Sequence, residues 1–187
     1  MRRDAPAAFV VIPCTENASH DTCFDTRGKW DISSFLPFID FLFVNDLELK
    51  HIAKGNTMQK RVGSLFKTGS RVVAVKQAGK GATLFVKGLS SKHFPSVAHK
   101  AVDTTGAGDA FNAGFVFGLM NAWSLDSCMR SGNFVAAKKI QVHGLAAPTA
   151  RAVKRFVAMN HKPTVAAANG GKDMGRLAAR ETTGKKS

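Results

Sequence analysis

Two rhythms of apolar residues alternate along the chain. Ala7-Ala8-Phe9-Val10-Val11-Ile12, Phe41-Leu42-Phe43-Val44, Arg71-Val72-Val73-Ala74-Val75 and Thr83-Leu84-Phe85-Val86 are short β-rich runs and predict strands. The first is stopped by Pro13 and followed by a loop from Thr15 to Lys29 rich in Asn, Asp, Ser, Thr and Gly. A turn containing Gly79 and Gly81 separates the last two. Helical spacing takes over from Asp46 to Ala53 through Leu47, Ile52 and Ala53, and again from Thr57 to Lys67 through Met58, Val62, Leu65 and Phe66, until Gly69. Beyond Gly108 the pattern is almost wholly helical, with Ala110 to Met120, Leu125 to Val142 and Arg151 to Met159 broken by Gly and Pro. Strands alternating with helices predict an α/β fold, a mainly parallel sheet with helices on both faces and ligands at the carboxyl ends of its strands. From residue 160 to residue 187 large apolar residues almost vanish in favour of Ala, Gly, Thr and Lys, which predicts a basic, disordered tail after a domain spanning 1–159.

Composition narrows this picture only slightly. The 187 residues are 44% hydrophobic, enough to bury one core. Lys and Arg total 27 against 13 Asp and Glu, a net charge of +14 that points to an anionic partner without saying which. A nucleic-acid role has little beyond that charge: there is no Tyr, Phe falls at core spacing, and no zinc-finger, RRM or KH pattern occurs. Cys14, Cys23 and Cys128 are too few and too scattered for a disulfide framework, so a reducing, cytoplasmic setting is expected. Cys14, His20 and Cys23 lack the second close pair that a zinc site needs. No secretion signal is evident, and the apolar stretch Ala110 to Trp123 falls short of the ~20 residues of a membrane span.

The chemistry concentrates in Asp103-Thr104-Thr105-Gly106-Ala107-Gly108-Asp109-Ala110-Phe111. Small residues let the backbone approach a ligand and turn directly into a helix whose free N–H groups and dipole favour phosphate. Asp109 sits where it can accept a hydroxyl proton, so anion binding and a base share one stretch. Glycines that merely let a buried helix pack on a sheet would read the same way. The segment is neither a Walker loop nor a complete dinucleotide fingerprint, since no G-x-x-x-x-G-K-[ST] occurs and Phe111 takes the third glycine position.

The whole run from Val102 to Gly118 resembles the C-terminal signature of the ribokinase-like, or PfkB, carbohydrate kinases, D-[ST]-T-G-A-G-D-x-F followed by a small-residue helix. The resemblance implies a ribokinase-like three-layer sandwich and an ATP-dependent phosphotransferase acting on an alcohol group of a sugar or related small molecule. It casts Asp109 as catalytic base and Gly106, Ala107 and Gly108 as the anion hole. Asn45-Asp46-Leu47-Glu48 looks like the family's N-x-x-E element, implying Asn45 and Glu48 near Mg²⁺, held through water, and the nucleotide phosphates. Val73 to Ala82 is similar to the family's nucleotide-lining strand and G-x-x-G turn, implying Lys76, Gly79 and Gly81 as ATP contacts. Ala78 replaces the first glycine there, so either the turn shifts to Gly79 or the backbone avoids positive φ at Ala78. Asn133 falls on the family's adenine-side helix. A monovalent cation, K⁺, is implied beside the hole, with Asp103, Thr105 and Gly144 as its ligands by position.

Asp21 to Trp30 and Leu36 to Asp40 also resemble the stretch preceding N-x-x-E, so the likeness runs from Phe9 to Phe156. Family members run to roughly three hundred residues, and nothing before Phe9 corresponds to their N-terminal part and β lid. MgATP and a small sugar-like molecule are the implied partners, with no membrane partner and with a homodimer open to the full-length form. A kinase portion, a non-catalytic nucleotide-binding remnant and a basic nucleic-acid-binding protein are the three readings, in that order.

Overall fold

The computed structural model describes residues 9–11 and 35–160, apart from 99 and 145. Five strands, β1 (Phe9–Val11), β2 (Phe41–Asn45), β3 (Val72–Lys76), β4 (Ala82–Val86) and β5 (Lys92–Phe94), lie side by side in chain order. β1, β2 and β3 run parallel, whereas β4 and β5 are antiparallel to their predecessors. The sheet is therefore mixed, because the chain returns from β3 and β4 through short turns, which only antiparallel pairing permits. Sequence pattern misses β5: of Lys92-His93-Phe94 only Phe94 is buried, so no apolar run marks it. Of the expected tail, residues 161–187 lie outside the described residues while Asn160 ends a helix, and the loop from Thr15 to Lys29 lies outside them too.

Alternation along the strands sorts the core into two layers. Leu42 and Val44 of β2, Val73 and Val75 of β3 and Phe85 of β4 face a cluster closed by Leu49 of α1 (Asp46–Ile52) and by Val62 and Leu65 of α2 (Met58–Thr68). Phe41, Phe43, Val72, Ala74, Ala82 and Leu84 face the other way, against Phe111 and Phe115 of α3 (Ala107–Met120) and Cys128 and Met129 of α4 (Leu125–Lys139). Helices thus cover both faces. Phe115 is fully buried and meets Phe43 edge-on, with ring centroids 4.9 Å apart and planes 77° apart. Such a pair is worth ~0.5–1.5 kcal/mol beyond the apolar area it buries.

Glycine fixes how closely α3 lies on α4. A Cβ on Gly114 would come within 2.8 Å of the Ser131 carbonyl oxygen, and one on Gly132 within 2.9 Å of the Phe111 carbonyl oxygen. The Ser131 hydroxyl donates across the same contact to the Gly114 carbonyl at 2.7 Å. α5 (Ala150–Asn160) joins α4 through Phe134 and Phe156, stacked at 4.2 Å. No helix among the described residues is long and apolar enough to cross a membrane.

Candidate active site

β2 and β3 end level with one another: Asn45 pairs in register with Lys76. Both continue the rows Phe41–Phe43 and Val72–Ala74 that face α3, so strand alternation carries an amide and an ammonium to the end of α3. The Lys76 ammonium lies 3.3 Å from the point a Cβ on Gly108 would occupy, at the N-terminus of α3. The carboxyl ends of two parallel strands and one helix N-terminus therefore meet, as expected for an anion site in an α/β sheet.

Asn45 caps α1 in a closed box. Its side-chain oxygen accepts from the Glu48 N–H at 2.8 Å, while Glu48 accepts from the Asn45 backbone N–H at 2.7 Å and from its side-chain amide at 3.0 Å. Glu48 is 1% exposed. Burial pushes its carboxyl above the ordinary range, the Asn45 N–H and the Lys76 charge pull it back, and Asp109 pushes it up again. Each Glu48 oxygen keeps a further acceptor site, which suits a carboxylate that orients water around Mg²⁺ rather than binding the ion directly. No group of three or more His, Cys, Asp or Glu is gathered for a metal among the described residues.

In the cradle, Gly106 adopts the left-handed conformation at φ 73° and caps α3, a backbone that a Cβ would strain. The Ala107 N–H turns back to the Thr104 carbonyl at 3.1 Å. Helix geometry then leaves the N–H groups of Gly108 and Asp109 without intrahelical acceptors. Of the expected trio Gly106, Ala107 and Gly108, the Ala107 N–H is thus engaged within the turn, while the Gly108 N–H stays outward with that of Asp109 beside it. Asp109 is exposed in the first turn, next to this pair.

The loop leading into the cradle is tied to the end of α4. The N–H groups of Val102 and Asp103 donate to the Ile140 carbonyl at 2.6 and 3.2 Å. Asp103 accepts from the Thr105 N–H at 2.9 Å through Oδ1 and from the Lys139 ammonium at 3.0 Å through Oδ2. The same ammonium donates to the Asp103 carbonyl at 3.3 Å. The Thr105 N–H first, then Lys139, hold the Asp103 carboxyl far below the usual carboxylate range. This arrangement does not fit the implied K⁺. Asp103, the first of its three expected ligands, already serves the 4% exposed Lys139 ammonium through its carbonyl oxygen and Oδ2 and the Thr105 N–H through Oδ1, and Gly144 lies exposed at φ 71° beyond α4. Two monocations ~4 Å apart repel by about 4 kcal/mol at an effective dielectric of ~20.

The turn after β3 departs from both alternatives set out for it. Ala78 itself takes the left-handed conformation at φ 48°, so the glycine-like backbone persists without the glycine. Gly79 is exposed and its Cβ position is open, whereas Gly81, at φ 99°, packs against the backbone of Phe94, Pro95 and Ser96. Asn133, 7% exposed on α4, donates to the Phe94 and Pro95 carbonyls at 2.9 and 3.0 Å. Gly81 and Asn133 thus hold the end of β5 and the residues just after it. Beside them a cleft of about 480 Å³ is lined by Ser96, Val97, Phe134, Lys138, Gln141 and Phe156, none of which stood out in sequence. Lys139 was equally hidden, since nothing in one dimension ties it to Asp103, 36 residues earlier.

The profile of the pfkB family carbohydrate kinases matches residues 5–152. An uncharacterized sugar kinase of Archaeoglobus fulgidus is 45% identical over 118 residues, 63% of this chain and 46% of that protein. Arabidopsis thaliana ribokinase, solved with ribose and ATP, superposes with a TM-score of 0.61 at 30% identity, covering 67% of this chain and 43% of that one. Thermotoga maritima ribokinase gives 0.62 at 28% identity, over 67% and 44% of the two chains. The chain spans less than half the length of these proteins. Their ribokinase-like fold is the fold found here, with two helix layers enclosing the sheet.

Proposed function

Because the chain belongs to the pfkB family of carbohydrate kinases, we propose that it forms the nucleotide side of an ATP-dependent phosphotransferase whose acceptor is an alcohol group of a sugar or related small molecule. The convergence of the α3 N-terminus with Lys76 at the paired ends of β2 and β3 carries this reading. Phosphoryl transfer asks the protein mainly for positioning, charge neutralisation and a proton acceptor. The N–H groups of Gly108 and Asp109 and the Lys76 ammonium neutralise the transferring phosphoryl oxygens. Asp109 takes the proton of the attacking hydroxyl as its oxygen bonds to the γ-phosphorus, and the bond from that phosphorus to the bridging oxygen breaks to release ADP. Asn45 and Glu48 would hold Mg²⁺ through water, and the ion would supply neutralisation of phosphate charge. The cleft beside Asn133 supplies an apolar floor, Phe134 and Phe156, for the nucleotide base.

The share of the relatives that this chain spans supports a second reading, a nucleotide-binding portion without turnover of its own. Positioning of the acceptor alone is worth ~7–11 kcal/mol of barrier, so a portion that binds the nucleotide without holding the acceptor would turn over very little. Calorimetry with MgATP tests both. Wild type and Asp109→Asn are expected to bind alike, because the base touches the acceptor rather than the nucleotide. Absence of binding by the wild type would refute both readings, and phosphorylation of a sugar by Asp109→Asn at the wild-type rate would remove Asp109 as base.

A further inference from the structure

We propose that the Lys139 ammonium serves as a built-in monovalent cation that orders the anion cradle, so that the site works without K⁺. Lys139 ends α4, where the helix dipole favours a positive charge, and its side chain runs inward instead of out to solvent. A buried lysine keeps its charge only if paired and hydrogen-bonded, and here one ammonium serves both the carbonyl and the carboxylate of Asp103. The other oxygen of that carboxylate fixes the Thr105 N–H, and Thr105 leads directly into the left-handed cap at Gly106. Lys139 Cε also lies 3.8 Å from where a Cβ on Gly106 would stand, which places the methylene stem beneath the cap. The charge, the loop and the first N–H groups of α3 are consequently linked through one side chain. An external cation would have to displace that ammonium to reach the same oxygens. Lys139 acts through the cradle and is a positioning residue.

The test compares melting temperatures of the full chain in potassium, sodium and tetramethylammonium chloride at constant ionic strength, for wild type and Lys139→Met, and then MgADP affinity in the same salts. Wild type is expected to melt at one temperature in all three salts. Lys139→Met is expected to lose about 5 °C or more in tetramethylammonium and to recover saturably with potassium, which a purely packing role would not produce. A potassium-specific stabilisation of wild type overturns the proposal, and so does a Lys139→Met protein that matches wild type in tetramethylammonium or whose loss potassium does not repair. If Lys139→Met does not fold, the wild-type salt series decides alone: a shift specific to potassium overturns the idea and its absence upholds it. The affinity arm rests on the nucleotide reading, with about tenfold weaker MgADP binding expected for Lys139→Met without potassium. Should neither protein bind MgADP in any salt, the phosphoryl-transfer reading fails while the melting series still decides the role of Lys139.

Discussion

Gly79 and Gly81 sit two residues apart in the turn after β3, and substituting each by Ala separates a glycine kept for a ligand from one kept for the fold. At Gly81 the backbone stands at φ 99° and ψ −134°, a region that side chains rarely enter. An added Cβ would fall 2.2 Å from the Phe94 carbonyl oxygen, 2.5 Å from the Ser96 nitrogen and 2.7 Å from the Pro95 carbonyl carbon. All three are main-chain atoms, so no rotamer change relieves the clash. Overpacking costs ~1–3 kcal/mol and the strained backbone ~1–3 kcal/mol more, so Gly81→Ala should lose about 2–6 kcal/mol. That is a large share of the ~5–15 kcal/mol that holds a domain together. Gly79 has open space at its Cβ position and no positive φ, so Gly79→Ala should be neutral or gain up to about 1 kcal/mol by restricting the unfolded chain. Urea denaturation followed by far-ultraviolet circular dichroism reads both midpoints. A Gly81→Ala protein within about 0.5 kcal/mol of wild type would refute the close-approach argument. Loss of MgATP binding by a stable Gly79→Ala would instead show that the nucleotide approaches Gly79 as closely as the family resemblance implies.

Two further outcomes follow from the same region. The Glu48 carboxyl is raised by burial, so its stabilising contribution is complete below its ordinary value of 4.5 and is lost as pH rises through the raised value in the folded protein. Glu48→Gln, which cannot ionise, should therefore gain melting temperature relative to wild type as pH climbs from 4 to 7; a difference that stays constant over that range would show that Glu48 titrates normally. Ala78 carries a left-handed backbone at φ 48°, a cost of ~1–2 kcal/mol for a residue with a Cβ, against ~0.5–1 kcal/mol for the freedom that glycine restores to the unfolded chain. Ala78→Gly should accordingly stabilise by up to about 1 kcal/mol in urea titrations, and a clear destabilisation would mean that the turn does not hold that conformation.

What the sequence disclosed follows from range. Strands β2, β3 and β4 and all five helices announce themselves through periodicity, and the bend into α3 through its glycines, because those signals lie within a few adjacent residues. The pairing of Asn45 with Lys76 needed the structure, because two strand ends in a sequence carry no register. β5 escaped because a short, half-exposed edge strand carries no apolar run. Lys139 escaped because its partner is remote in the chain, and a lysine in the last turn of a helix ordinarily reads as a solvated cap. The antiparallel turn-back at β4 was within reach of the sequence, since the turn containing Gly79 and Gly81 is too short for a crossover.

The rows Phe41–Phe43–Asn45 and Val72–Ala74–Lys76 make the core and the site share one ruler. Inserting or deleting a single residue between Phe43 and Asn45 would turn Asn45 from the α3 side of the sheet to the α1 side while the aromatic rings before it keep their facing. A change of two residues would keep the facing but slide the amide by about 7 Å along the strand, away from Lys76. Lineages carrying this site can therefore vary the residue types in these strands far more readily than the strand lengths, and drift in length is expected to accumulate in the loops outside them.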